Sequence, residues 1–326
     1  MMTGGLQNWV AKNGYADSIL FYGTKNAKRI EASLTFASNT EELSYDFVLA
    51  HAAGGILVFY DERITHRDIV NKADVPQISV FNSGVRESAV FAKSGKTNED
   101  QTAFELSKLL KSCRVFQFHN TSATAHIRNP SYIVDGHELK NDGGNLSAFL
   151  YNLQENYSKH FDRIVRHLST IIPQFKSFVL RPSVANNRYI SLDWLSYQYD
   201  YLLGPHKISC GSIRFMCLTA LLLQPEELMP SVIIIDEPEL GLHPAAIAKL
   251  SGMIKIASRH AQIILATQSP NLINEFDLED LIVVERNPED GSSTYVRHDP
   301  ERLEKWLDEY SLGELWEKNV IGGQPV

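Results

Sequence analysis

Apolar and polar positions alternate through the first third of the chain and then change period. Arg29–Phe36 (RIEASLTF) alternates residue by residue, the pattern of a strand with one wet face. Leu43–Ala50 and Ile56–Tyr60 continue it across the turn-prone Gly54-Gly55, and Ser18–Gly23 (SILFYG) reads as a further short strand closed by a glycine. Together they predict an antiparallel meander. From Glu99 to His119 the period lengthens, with Phe104, Leu106, Leu109 and Leu110 near helical spacing. Asn129-Pro130 and Asn141–Gly144 break the chain, and Leu146–Ile171 carries apolar residues at i, i+3, i+4 steps, which predicts one or two amphipathic helices.

The last third alternates helix and strand. Ser212–Leu223, Pro244–Ala257 and Asn271–Phe276 read as helices; Val232–Ile235, Gln262–Ala266 and Leu281–Glu285 read as strands. Strand, helix, strand in succession implies a parallel core, and the β-branched run Val232–Ile235 is that of a strand buried on both faces. The expected division is residues 1–98 as antiparallel strands of one lobe, 99–205 as a helical lobe and 206–326 as the α/β half. No internal repeat or low-complexity tract is visible.

Composition narrows the class. Of 326 residues, 44% are hydrophobic and 21% charged, an ordinary globular balance that excludes wholesale disorder. No apolar run approaches the ~18 residues of a membrane span, and Met1–Leu6 lacks a charged region followed by an apolar stretch. Cys113, Cys210 and Cys217 give neither metal spacing nor a disulfide framework. These features lead to an expected cytoplasmic location. The formal charge of −8 argues against a surface built throughout for phosphate backbones. Lys108, Lys111, Arg114, Arg128, Arg163 and Arg166 cluster in the helical region, and interleaved acids favour a solvated helix face over a DNA-contact face.

The chemistry is concentrated late. Val232–Glu239 (VIIIDEPE) is a hydrophobic strand ending in two carboxylates. Ligands of open α/β sheets bind at that carboxyl edge. One carboxylate there can hold magnesium and the next can orient or deprotonate a water; the plainer alternative is a strand ending in a solvated acidic turn. Leu240-Gly241-Leu242-His243-Pro244 follows at once, and Ala266-Thr267-Gln268-Ser269-Pro270 lies one strand later. Upstream, Ser209-Cys210-Gly211-Ser212 opens an apolar helix, and small hydroxyl- and glycine-bearing turns at helix N-termini attract anions.

In that order, these segments resemble the head domain of ABC-type ATPases of the RecF/SMC kind, and more closely RecF-like AAA-family ATPases of the AAA_21 type. The closing segment Glu309–Gly323 is similar to theirs as well. The resemblance implies an α/β P-loop NTPase fold of the ABC head type, with a mixed sheet, an antiparallel N-terminal meander and an inserted helical lobe. It implies ATP and Mg2+ as cofactors, and a homodimer whose heads sandwich ATP. By position, Asp236 would be the magnesium-linked carboxylate, through water, and Glu237 the catalytic base. Ser209, Gly211 and Ser212 would contact the γ-phosphate of ATP held by the partner, Glu239–His243 would meet that partner, and Gln268 would stand at the switch position, where many relatives have histidine. Cys210 replaces the usual Gly or Asp of the turn. DNA or an effector protein would be a further partner, with DNA repair, recombination or phage defence as outputs.

One expected part is missing. The phosphate-cradling Gly-x-x-x-x-Gly-Lys-Ser/Thr is absent from the sequence; Gly95-Lys96-Thr97 is the only partial match, with Val90 where the first glycine belongs, and reads as a surface turn. The sequence reads as beginning after the family's first strand, phosphate loop and helix, which predicts weak ATP binding by this chain alone. The alternative to an ATPase is therefore a degenerate or truncated head used as an interaction or regulatory module. Trp9, Trp194, Trp306 and Trp316 read as packing anchors, and His119 and His126 lack a third metal ligand.

Overall fold

The computed structural model describes residues 5–70, 77–81, 83–92, 98–198 and 201–324. The chain divides into two compact units, one running to Cys113 and the other from Arg114 onward.

The first unit starts with short helices α1 (Leu6–Lys12) and α2 (Tyr15–Ile19). It continues into the antiparallel strands β1 (Arg29–Ala37), β2 (Glu41–Ala52), β3 (Ile56–Asp68) and β4 (Gln77–Val80), paired in that order, and ends in α3 (Asn98–Lys111). The expected strand at 18–23 is instead the end of α2 and a turn. Asp17 explains it: its carboxylate accepts from the Thr24 backbone N–H (2.9 Å) and hydroxyl (2.7 Å), folding the segment back on itself. Helix α3 ends at Lys111, so the helical reading to His119 overran. Gly95–Thr97 lies outside the described residues.

A bulge in the meander places a charge in its core. Between β2 and β3 the register shifts, Val48 facing Asp61 and Leu49 facing Phe59. Tyr60 is the extra residue, so the inward face switches from Leu57 and Phe59 to Glu62 and Ile64. Glu62 is fully buried and accepts from the Tyr45 hydroxyl (2.6 Å), the Ser88 hydroxyl and the Ala89 N–H (2.9 Å). Burial, then the Glu62 contact, raises the Tyr45 phenol well above its ordinary value.

Strand β5 (Cys113–Phe116) begins one residue before the second unit, which continues with β6 (Ser131–Tyr132). Helices α4 (Leu146–Asn156) and α5 (Ser158–Ile171) follow, so the amphipathic stretch is two helices. Then come β7 (Phe175–Phe178), β8 (Tyr189–Ile190), β9 (Trp194–Ser196) and β10 (Leu202–Leu203). Strands β7, β9 and β10 form a small antiparallel sheet, while β6 pairs with β8.

Helix α6 (Cys210–Leu222) is buried from Ile213 to Leu222, as a helix apolar on every side must be. Next come β11 (Val232–Asp236), α7 (Pro244–Ala257), β12 (Gln262–Ala266) and α8 (Pro270–Ile273). Strands β11 and β12 are parallel in the register Ile233↔Ile263, Ile235↔Leu265 and Asp236↔Ala266. With β5 on the other side of β11, this is the sheet that carries the acidic strand end. Burial alternates along β11, with Ile233 and Ile235 buried and Val232, Ile234 and Asp236 half-buried, so one face alone is fully covered. The strand expected at 281–285 is β13 (Val283–Arg286), which pairs antiparallel with β14 (Ser293–Val296) rather than joining the parallel core. Helices α9 (Pro300–Leu307) and α10 (Leu312–Glu317) close the chain.

Trp194 is buried in the main core, and Trp9 and Trp316 pack against smaller apolar clusters; Trp306 is 45% exposed beside Tyr310. The three cysteines are free. Among the described residues, no helix is long and apolar enough to cross a membrane.

Tyr45→Phe should lower stability by about 1–3 kcal/mol, because it removes one donor from a buried carboxylate. Urea unfolding followed by near-UV circular dichroism measures it; an unchanged midpoint would show that Glu62 is satisfied without the phenol.

Candidate functional site

The parallel sheet sets the geometry. In extended backbone, successive side chains project to opposite faces, so Asp236 and Glu237 would diverge if β11 simply continued. It does not: Glu237 has φ +44°, in the left-handed region that non-glycine residues rarely enter. Its N–H still donates to the Ala266 carbonyl (2.8 Å), and its own carbonyl accepts from Leu240 N–H (3.2 Å). Left-handed backbone at a residue that keeps the ladder bond is strain held by its surroundings, and such strain concentrates at functional positions.

Asp236 is held from the segment that follows β5. The Gln117 side-chain amide donates to Asp236 Oδ2 (3.1 Å), and His119 Nε2 donates to the Asp236 carbonyl (2.9 Å). Neither residue was singled out as part of this site from sequence, because 113–119 was read as the end of a helix. The alternation Val115-Phe116-Gln117-Phe118-His119, rich in β-branched and aromatic residues, is the strand signal that would have found them. His119 is thus occupied with Asp236, and no cluster of three or more His, Cys, Asp or Glu side chains able to hold a metal occurs among the described residues.

The loop after the carboxylates is built tightly. Glu239 Oε1 accepts from the Thr267 hydroxyl (2.5 Å), and Thr267 Oγ1 in turn accepts from Ser269 N–H (3.0 Å). That chain fixes the turn carrying Gln268, which is exposed two residues beyond the Asp236↔Ala266 register pair. Glu239 Oε2 is buried without a partner. His243 caps α7, its Nδ1 accepting from Ala245 N–H (3.2 Å); the acceptor role puts the neutral ring's proton on Nε2.

Ser209 caps α6: its hydroxyl accepts from Ser212 N–H (3.1 Å) and donates to the Ser212 hydroxyl (2.8 Å). The structure brings this turn against the loop that follows the carboxylates. A methyl group on Gly211 would collide with the Gly241 carbonyl, and Gly241 itself has φ +73°. Arg214, one turn into α6 and 6% exposed, donates to the carbonyls of Phe118 (3.0 Å) and His119 (3.2 Å), while its Nη1 lies against Gly241. Arg128 was expected on a solvated helix face. It is instead 5% exposed, donating to the carbonyls of Thr121 (2.9 Å), Pro205 (2.5 Å) and Ile208 (2.9 Å) and lying 3.9 Å from Cys210 Sγ. Burial of this kind is a tertiary property with no local sequence signal.

The donor set suits magnesium held together with substrate phosphates. Mg2+ prefers oxygen ligands, keeps several waters and commonly takes only one or two protein oxygens. Asp236 offers carboxylate oxygens, and Gln117, whose nitrogen faces Asp236, has its amide oxygen for a further ligand.

Residues 65–274 match the family model AAA_21, described as "AAA domain, putative AbiEii toxin, Type IV TA system". Among solved structures, the chain is similar to an SMC head bound to the C-terminal winged-helix domain of ScpA. The identity is 14%, the TM-score 0.56, and the match covers 93% of this chain and 85% of that one. A Pyrococcus furiosus Smc head domain bound to the C-terminal domain of ScpA gives 13% identity and a TM-score of 0.46, over 94% of this chain and 87% of that one. No curated protein sequence matches significantly. The first of these structural matches shows the fold, that of an SMC-type ABC head.

Two glycine substitutions test the packing. Gly211→Ala should destabilise by about 1–3 kcal/mol, the usual effect of forcing a carbon into a filled space. Gly252→Ala, mid-helix in α7 with nothing near the added carbon, should stabilise by about 1 kcal/mol. Thermal unfolding of both variants distinguishes a tight Gly211–Gly241 approach from a loose one, in which both would stabilise.

Proposed function

The chain belongs to the AAA_21 family of AAA-domain proteins, and from that premise we propose that it is an ATP-binding and ATP-hydrolysing ABC-type head that works as a nucleotide-dependent homodimer. The observation that carries this reading is the acidic end of β11: two adjacent acidic residues, the first with its carboxylate held by Gln117 and its backbone carbonyl by His119, the second turned by left-handed backbone.

Asp236 and Gln117 would hold Mg2+, which supplies charge neutralisation at the β- and γ-phosphates when bound. Glu237 accepts a hydrogen bond from the attacking water and takes its proton. Gln268 hydrogen-bonds to that water or to the γ-phosphate; as an amide it does so without gaining a proton near neutral pH. Ser209, Gly211 and Ser212 meet the γ-phosphate of nucleotide held by a second copy, with Glu239–His243 as the loop facing it. His243 serves that loop by capping α7. In this reading 1–98 and 206–326 form the nucleotide lobe and 99–205 the helical lobe. On this reading the head would be RecF-like, and its output would be DNA repair, recombination or phage defence, through DNA or an effector protein.

The absence of Gly-x-x-x-x-Gly-Lys-Ser/Thr from the sequence favours a second reading, a catalytically degenerate head acting as an interaction or regulatory module. Magnesium-dependent ATP hydrolysis by this chain, with Glu237→Gln as control, separates the two. The ATPase reading expects the substitution to lower turnover by about 10²–10⁴-fold while ATP binding, measured by calorimetry, is kept. Equal turnover in both proteins would overturn the role of Glu237; no turnover and no binding in either would count against hydrolysis by this chain alone.

A further inference from the structure

The basic residues of the helical region do not form one face. Lys108 and Lys111 lie over the rings of Phe104 (4.5 Å) and Phe91 (5.9 Å). Arg114 is engaged by Glu138 (3.0 Å) and Asn141 (2.6 Å), and Arg128 is buried among carbonyls. Arg163 and Arg166 are left, both on α5, and among the described residues neither has a carboxylate or ring partner. Helix α5 carries Lys159, Arg163 and Arg166 against the single acid Asp162. Steps of four and three residues keep the three cations on one side of the helix, over about 10 Å of its length. The opposite side is seated in the core by Ile164 and Leu168. Helix α7 adds Lys249 and Lys255 and has no acid.

His167, on α5, shows that these charges converge. Burial, and then Lys249, Arg163 and Arg166, hold its imidazole below the ordinary value. Its Nδ1 is buried without a partner. A carboxylate nearby would act in the opposite direction, and among the described residues none offsets the three cations. The positive potential is therefore left unneutralised by the chain itself. We propose that the α5 face bearing Lys159, Arg163 and Arg166, together with Lys249 of α7, is a docking site for a short acidic segment of a partner protein.

Two features favour an acidic segment over nucleic acid. The patch is short: its four cations fall below the roughly six to ten phosphate contacts of a firm duplex binder. The chain's negative charge is also concentrated, residues 275–318 carrying 14 Asp and Glu against 5 Lys and Arg, within the same unit as α5. A duplex carries a charge about every 1.7 Å along its length and is repelled by that field as a whole. A short acidic segment brings few charges and matches the patch alone, and guanidinium forks pair with carboxylates through two parallel bonds. The proposal does not rest on the ATPase reading and is tested without nucleotide.

The experiment titrates a short fluorescein-labelled poly-glutamate peptide with the full chain at low salt and reads fluorescence anisotropy. Saturable binding is expected, weakening as salt is added. Arg163→Gln and Arg166→Gln should each weaken it about two- to fivefold, the usual effect of one exposed ion pair, and the double variant by more. Lys140→Gln removes a cation already paired with Asp135 (2.6 Å) and should leave binding unchanged. Carbodiimide coupling of the peptide's carboxylates to lysines, mapped by mass spectrometry, needs no variant: Lys159 and Lys249 should be the coupled sites. No saturable binding, coupling spread evenly over the chain's lysines, or equal affinity in the double variant each overturns the proposal. A short labelled duplex DNA that binds more tightly than the peptide, and is weakened by the same two substitutions, overturns it in favour of nucleic acid. Neither result depends on whether the chain hydrolyses ATP, so the two readings fail separately.

Discussion

The approach of Gly211 to the Gly241 carbonyl, held by the buried guanidinium of Arg214, is the contact on which the rest of the site depends. It joins the start of α6 to the loop after β11. Through Phe118 and His119 it reaches the segment that follows β5 as well. Three segments distant in sequence thereby become one block. Only glycine permits the approach at 211, since any side chain would meet backbone rather than a movable group. The charge that fastens the block is buried, and it is stabilised by carbonyl dipoles and by the Glu237 carboxylate nearby.

Asp236 and Glu237 gain their placement from the same construction. A parallel strand delivers its last residues to the ligand-binding edge, but pleating alone would send the two carboxylates apart. The left-handed backbone at Glu237 breaks that alternation at a local cost of order 1–3 kcal/mol. The ladder bond to Ala266 and the turn closed by Leu240 hold it. On the neighbouring strand, Thr267 bridges Glu239 and Ser269, so the turn bearing Gln268 is fixed by the loop that follows the carboxylates. The acidic pair, the turn bearing Gln268 and the start of α6 are thus positioned by mutual contact.

What could be read from sequence was what is contiguous in it. VIIIDEPELGLHP is a strand, an acidic edge and a helix start in one linear run, and its meaning survives without tertiary information. The ATQSP segment and the Ser209 turn share that property, as does the strand–helix–strand order of β11, α7 and β12. Positions decided by non-local geometry were not legible. Arg128 lies in a polar, mixed-charge neighbourhood and gives no local sign that four acceptors from three segments enclose it. Glu62 sits in a strand whose inward face is otherwise apolar; the bulge at Tyr60 that turns it inward depends on the pairing with β2. Gln117 and His119 were obscured by helical spacing that ran on past Lys111, although the strand pattern around them was present.

The turn itself shows why the departure at Cys210 from the family's usual residue is chemically tolerable. The contacts that build the turn are the Ser209 cap, the Ser212 N–H and hydroxyl, and the backbone approach at Gly211, none of which requires a particular side chain at 210. The position needs something small enough to sit beside Arg128 and Thr121. A thiol satisfies that demand. Cysteine therefore leaves the turn's geometry intact and places a thiol beside Arg128 and the Thr121 carbonyl.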